Sequence, residues 1–116
     1  MEAKPRQVFI YQDAQGKQPY SNWVLALKDN DAKAAIASRI KRLKAGNFGD
    51  CKRIGAVTEL RIDIGPGYRV YVGQKGQALV ILLIGGDKGS QKKDIGIAKR
   101  CWDDCEKRGE AAFRSL

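Results

Sequence analysis

ELRIDIGPGYRVYV, residues 59–72, decides the fold. Apolar and polar residues alternate on the first arm and largely on the second, the period of a half-buried strand. A Gly-Pro-Gly link this short between two such runs makes an antiparallel hairpin. On the first arm Leu60, Ile62 and Ile64 point one way, and Glu59, Arg61 and Asp63 the other. If residues 64 and 68 close the turn, then 62 faces 70 and 60 faces 72. Leu60, Ile62, Ile64, Val70 and Val72 then form one apolar face for helices to cover. The opposite, open face pairs Asp63 with Arg69 and Arg61 with Tyr71.

Working outward, the spacing predicts strands over 57–64, 68–74 and 78–84, joined by short links as a meander. The third, ALVILLI, is apolar throughout and should be the most buried. Upstream, VFIYQ (8–12) reads as a first strand. Pro19 opens a helix over 20–28, with Tyr20, Trp23, Val24 and Leu27 at helical spacing. A second helix over 31–45 carries the stripe Ala32, Ala35, Ile36, Ile40 and Leu43, with Lys33, Lys41, Arg42 and Lys44 off it. Gly46 stops it. GGDKGS reads as a strand-to-helix turn with Gly85, Gly86 and Gly89 as turn residues. A last helix spans 90–108, with Ser90 as N-cap and Ile95, Ala98, Trp102 and Cys105 inward. The tail after it carries no clear pattern. The order β-α-α-β-β-β-α is an α+β fold: an N-terminal strand and an αα-hairpin packed on an antiparallel sheet, then a C-terminal helix. All 116 residues suit a single domain.

Lys plus Arg number 22 against 13 Asp plus Glu, a net charge of +9. That surplus on a short chain points to an anionic partner, nucleic acid first, with an acidic protein or an anionic membrane as further fits. Cys51, Cys101 and Cys105 are an odd set with no disulfide spacing, which implies a reducing compartment. There is no histidine, and nothing else completes a zinc site around Cys101 and Cys105, so neither metal nor cofactor is expected. The apolar runs are too short for a signal peptide or a membrane span, and a cytoplasmic protein with no membrane partner is expected.

The charged side of the hairpin admits two readings. Asp63–Arg69 is an ordinary cross-strand ion pair and Arg61 lies over Tyr71; or Arg61, Arg69 and Tyr71, joined by Lys88 at the end of the third strand, form an anion site. Arginine forks onto phosphate, an aromatic ring stacks a base and lysine supplies charge, which together suit RNA. RNA cleavage by a 2′-hydroxyl needs proton transfer and stabilisation of a phosphorane. Arginine stabilises charge but does not act as a base, whereas a lysine among other cations can exchange a proton. No Ser/His/Asp set, Cys/His pair or phosphate loop of the Walker spacing is present.

ELRIDIGPGYRVYV, followed by LVILLIGGDKGSQKKDI and a terminal helix, resembles the RelE/ParE superfamily of toxins, in its HigB-like branch of addiction-module killer proteins. The element order agrees with that family's small fold. The resemblance implies the toxin of a type II toxin–antitoxin system, a ribosome-dependent, metal-independent mRNA endoribonuclease (mRNA interferase) that inhibits translation. It implies catalytic roles for Arg61, Arg69 and Lys88, with Tyr71 as a stand-in proton carrier, because the late aromatics here are Trp102 and Phe113. Lys92 and Lys93, with Lys41 and Lys44, are the expected RNA-binding residues. The implied partners are the ribosome with its mRNA and a cognate antitoxin, HigA-like with a DNA-binding domain. The alternatives are a ParE-like inhibitor of DNA gyrase and a noncatalytic basic nucleic-acid-binding protein.

Overall fold

The computed structural model describes residues 4–116. The elements are β1 (Gln7–Tyr11), α1 (Pro19–Ala26), α2 (Asn30–Lys44), β2 (Cys51–Ile54), β3 (Val57–Ile62), β4 (Tyr68–Lys75), β5 (Leu79–Asp87), α3 (Gln91–Arg108) and β6 (Phe113–Ser115). They build an α+β structure around one six-stranded sheet of order β2-β3-β4-β5-β1-β6. The helices lie on both sides of it. Leu60, Ile62, Val70, Val72, Val80 and Leu82 pack with α1 and α2. Val57, Tyr71, Ile81 and Leu83 pack with Ala98, Cys101, Trp102 and Cys105 of α3. Two-sided cover explains why β5 is a continuous apolar run, with Val80, Ile81, Leu82 and Leu83 all buried. No helix among the described residues is long and apolar enough to cross a membrane.

Four features correct the sequence reading. First, the sheet is mixed: β1 runs parallel to β5, while the other pairs are antiparallel. Short links fix the direction of consecutive strands only, and β1 and β5 are far apart in sequence. Second, β2 and β6 add two short edge strands. Lys52 and Arg53 make β2 look like a loop, yet exposed charges are what an edge strand carries. β6 is a three-residue strand against β1, with Phe113 edge-on to Phe9 at 5.1 Å.

Third, the hairpin register is offset. Leu60 faces Val70 and Ile62 faces Tyr68, so the connection spans residues 63–67. Gly67 N–H closes it onto the Ile64 carbonyl, and Gly65 and Gly67 adopt positive φ. The offset is two residues, so each side chain keeps its face and changes its partner. Arg61 now faces Arg69, Glu59 faces Tyr71, and Asp63 stands outside the ladder. Fourth, the charged face is not open, because α3 covers most of it. Ser90 occupies the N-cap position of α3 as expected, but its side chain makes no capping bond; the Asp87 carboxylate accepts from the backbone of Gly89 and Ser90 in a 3-10 turn, and the Ser90 hydroxyl donates to Asp94.

Candidate functional site

The offset register creates an unusual pair. Arg61 and Arg69 sit directly opposite each other on adjacent strands, a like-charge arrangement that destabilises a sheet unless something offsets it. Glu59, one side-chain position along the same face, supplies the counter-charge. It is fully buried. Arg61 Nε donates to its Oε1 at 3.1 Å, and Arg69 Nε stands 3.7 Å from the same oxygen, a charge contact rather than a hydrogen bond. The other oxygen, Oε2, accepts from the Tyr71 hydroxyl at 3.0 Å and from Gln91 Nε2 at 2.8 Å. Burial alone would push the Glu59 carboxyl up. The hydrogen bonds from Gln91, Arg61 and Tyr71, together with the Arg69 charge, outweigh it and hold the group below the ordinary carboxylate range.

Lys88 arrives at the same end of the sheet through β5. Arg69 pairs with Gly86 and Tyr68 with Asp87, so the chain leaves β5 beside the β3–β4 loop. A side-chain carbon built on Gly67 would stand 3.4 Å from Arg69 Nη1 and 3.7 Å from Lys88 Cβ. Arg69 and Lys88 therefore flank one glycine. Lys88 is exposed, the Arg61 side chain is 35% exposed and that of Arg69 is 12% exposed. Lys92 and Lys93 are exposed in the first turn of α3, at this end.

Tyr71 and the α2 lysines are placed differently from the sequence reading. Tyr71 is fully buried under α3. Burial, with the Glu59 charge behind it, pushes its hydroxyl well above the ordinary tyrosine range. It faces Glu59 and not solvent, so it orders the carboxylate and is not placed to carry a substrate proton. Lys41 and Lys44 lie on α2, in the layer across the sheet from α3, beside a groove lined by Tyr20, Ile40 and Leu116. They do not join the Arg61–Arg69–Lys88 cluster.

Three residues of the site carry no clear sequence signal. Glu59 and Gln91 read as solvated polar positions. Arg39 lies in the apolar stripe of α2 and is buried. Its guanidinium donates to the carbonyls of Phe48, Asp50 and Arg61, tying the α2–β2 loop to β3 beside Arg61. Gly85 and Gly86 belong to β5 rather than to a turn. Trp23 of α1 presses on Gly85 and the Asp94 carboxylate on Gly86, from opposite sides, with no room for a Cβ. Those contacts seat α1 and the start of α3 against the strand end that delivers Lys88.

No family model matches the chain. An uncharacterized protein of Haemophilus influenzae is 54% identical over 81 residues, covering 69% of this chain and 82% of that protein, and the chain belongs to its family.

Proposed function

We propose that this protein is the toxin of a type II toxin–antitoxin pair and cleaves mRNA on the ribosome as a metal-independent endoribonuclease of RelE-like fold. The observation that carries the reading is the meeting of Arg61, Arg69 and Lys88 at one end of the sheet. A net charge of +9 supplies the wider field for a polyanion. In this reading the two guanidiniums bind the scissile phosphodiester and offset the charge that develops on its oxygens as the 2′-hydroxyl attacks. Lys88, exposed beside Arg69, is the group at the cluster able to exchange a proton. Proton transfer is the weak part of such a site. The ribosome would supply what is missing by holding the mRNA with its 2′-oxygen in line for attack. The cognate antitoxin and the cytoplasm belong to the same proposal.

The test is induction of the protein in cells, with mapping of mRNA 5′ ends, with and without a translation block. The expected result is new ends that vanish when translation stops and that Arg69→Ala abolishes in a folded protein. Intact mRNA with an induced DNA-damage response would instead identify a gyrase inhibitor. Intact mRNA without that response would leave a binding protein, and either outcome sinks the ribonuclease.

A further inference from the structure

We propose that Glu59 is a positioning residue, holding Arg61 and Arg69 by their inner Nε edges so that their outer Nη groups jointly take one phosphodiester. The identity of that anion rests on the ribonuclease reading above; the geometry does not.

Arg61 Nε donates to Glu59 Oε1, and Arg69 Nε, buried with no hydrogen-bond partner among the described residues, stands 3.7 Å from the same oxygen and is held by charge alone. Tyr71 and Gln91 occupy the other oxygen, so the carboxylate is held from two sides by β4 and α3. Arg69 is fixed further, because its Nη1 donates to the carbonyls of Gly67 and Tyr68 at 3.2 and 3.3 Å. What remains is Nη2 of Arg69 and both Nη atoms of Arg61. None of these has a hydrogen-bond partner among the described residues, yet they are not among the buried unpaired atoms, so they reach solvent.

The consequence is chemical. A phosphodiester offers two non-bridging oxygens, and guanidinium N–H groups match that geometry as forks. Two free arginines on neighbouring strands would splay apart by mutual repulsion and would have to be ordered when the anion arrives. Glu59 removes both costs beforehand, which is preorganisation of the binding groups. One carboxylate against two guanidiniums still leaves the pair cationic. Glu59, buried and fully engaged, never touches the substrate in this scheme.

The experiment compares the full chain with Glu59→Gln, which keeps the side-chain size and removes the charge. Arginine Nε–H exchange is followed by NMR in the isotope-labelled protein, alone and with a trinucleotide whose ribose hydroxyls are methylated. In the unaltered protein the Arg61 Nε–H, bonded to Glu59, resists exchange, and both arginines shift together on binding. Glu59→Gln is expected to lose that resistance and about tenfold in trinucleotide affinity, the scale of one charged hydrogen bond. Unchanged protection and affinity in folded Glu59→Gln overturns the proposal. If that variant does not fold, Gln91→Ala removes one donor from Oε2 and should loosen Arg61 and Arg69 in the same assay; no change in either overturns the proposal equally. Joint binding of the trinucleotide with no cleavage on ribosomes removes the ribonuclease reading and supports the role of Glu59.

Discussion

Arg39→Met removes a buried guanidinium that stitches α2 to the loop before β2 and to β3. Arg39 is 4% exposed. Its Nε and Nη2 reach the Phe48 carbonyl at 3.2 and 2.7 Å, Nη2 also reaches Asp50, and Nη1 reaches Arg61. Hydrogen bonds from a charged donor contribute roughly 1.5–3 kcal/mol each, so three acceptors set a gross ceiling of about 5–9 kcal/mol. Two effects reduce it. Methionine takes over the stem's packing and ends the desolvation of a charge. The Phe48 and Asp50 carbonyls, on half-buried and exposed residues, can turn to water, whereas the Arg61 carbonyl within β3 has less freedom to do so. The net loss should be about 2–4 kcal/mol, as for other broken buried polar networks. For a domain of this size that lowers Tm by roughly 10–15 °C. Calorimetry or circular dichroism measures it directly. Arg39→Lys should fall between, since an ammonium keeps the charge without the planar fork. A melt of Arg39→Met within about 2 °C of the parent refutes the reasoning, because it corresponds to well under 1 kcal/mol.

Three further outcomes are expected. The hydrogen bond from Arg108, then that from Tyr11, holds the Asp104 carboxyl at about 2, and Glu59 is also held low. Carboxyls depressed in the folded state give stability that is full above their unfolded pKa of about 4 and is lost as pH falls toward the folded value. The urea midpoint should therefore drop between pH ~4 and ~2, and Asp104→Asn should flatten that drop. Burial pushes the Cys101 thiol up to about 11 and that of Cys105 up to about 12, while Cys51 is exposed. A thiol reagent near neutral pH should label Cys51 alone in the native protein and all three cysteines after denaturation. Replacing Lys92 and Lys93 with alanine should lower the log–log salt slope for single-stranded RNA by about 1.4, and replacing Lys41 and Lys44 should leave it unchanged. Equal effects of the two pairs in filter binding would mean that RNA does not distinguish the layers.

What could be read from the sequence was whatever depends on neighbours in the chain. The hairpin, its apolar face, the stripe of α2 and the burial of β5 all follow from local periodicity. The parallel β1–β5 pair does not, because it joins segments about seventy residues apart and no turn records it. The placement of α3 is also non-local. Ile95, Ala98, Trp102 and Cys105 define an inward face, but not which side of the sheet receives it. A charged row on β3 and β4 suggested the uncovered side. Instead, Tyr71 and Val57 are buried against α3, and only the arginine end of that row stays partly open. Arg61 and Arg69 keep the face that the sequence assigns them because the register is offset by two residues, an even number. Glu59 is not legible in the sequence, because a glutamate on a polar alternation looks solvated until its neighbours across the sheet are known. Lys41 and Lys44 show the converse limit, since lying off a helical stripe says nothing about which layer the helix joins.

The observed register also bears on the choice between a solvated face and a site. With Asp63 opposite Arg69, each arginine would have had an ordinary cross-strand partner, and the face would have needed no further device. The chain instead leaves Asp63 exposed beyond the ladder and sets Arg61 against Arg69. It then removes a carboxylate from water to hold them, which costs more than leaving an ion pair at the surface. Tyr71 and Gln91 are committed to satisfying that carboxylate. A sheet under selection for stability alone has cheaper solutions at those positions, among them an opposite-charge pair or two β-branched residues. Departures from local rules that are compensated by their surroundings gather where a protein binds or reacts. Here the departure and its compensation involve the same few side chains, and both Nη atoms of Arg61 and Nη2 of Arg69, without a hydrogen-bond partner among the described residues, reach solvent.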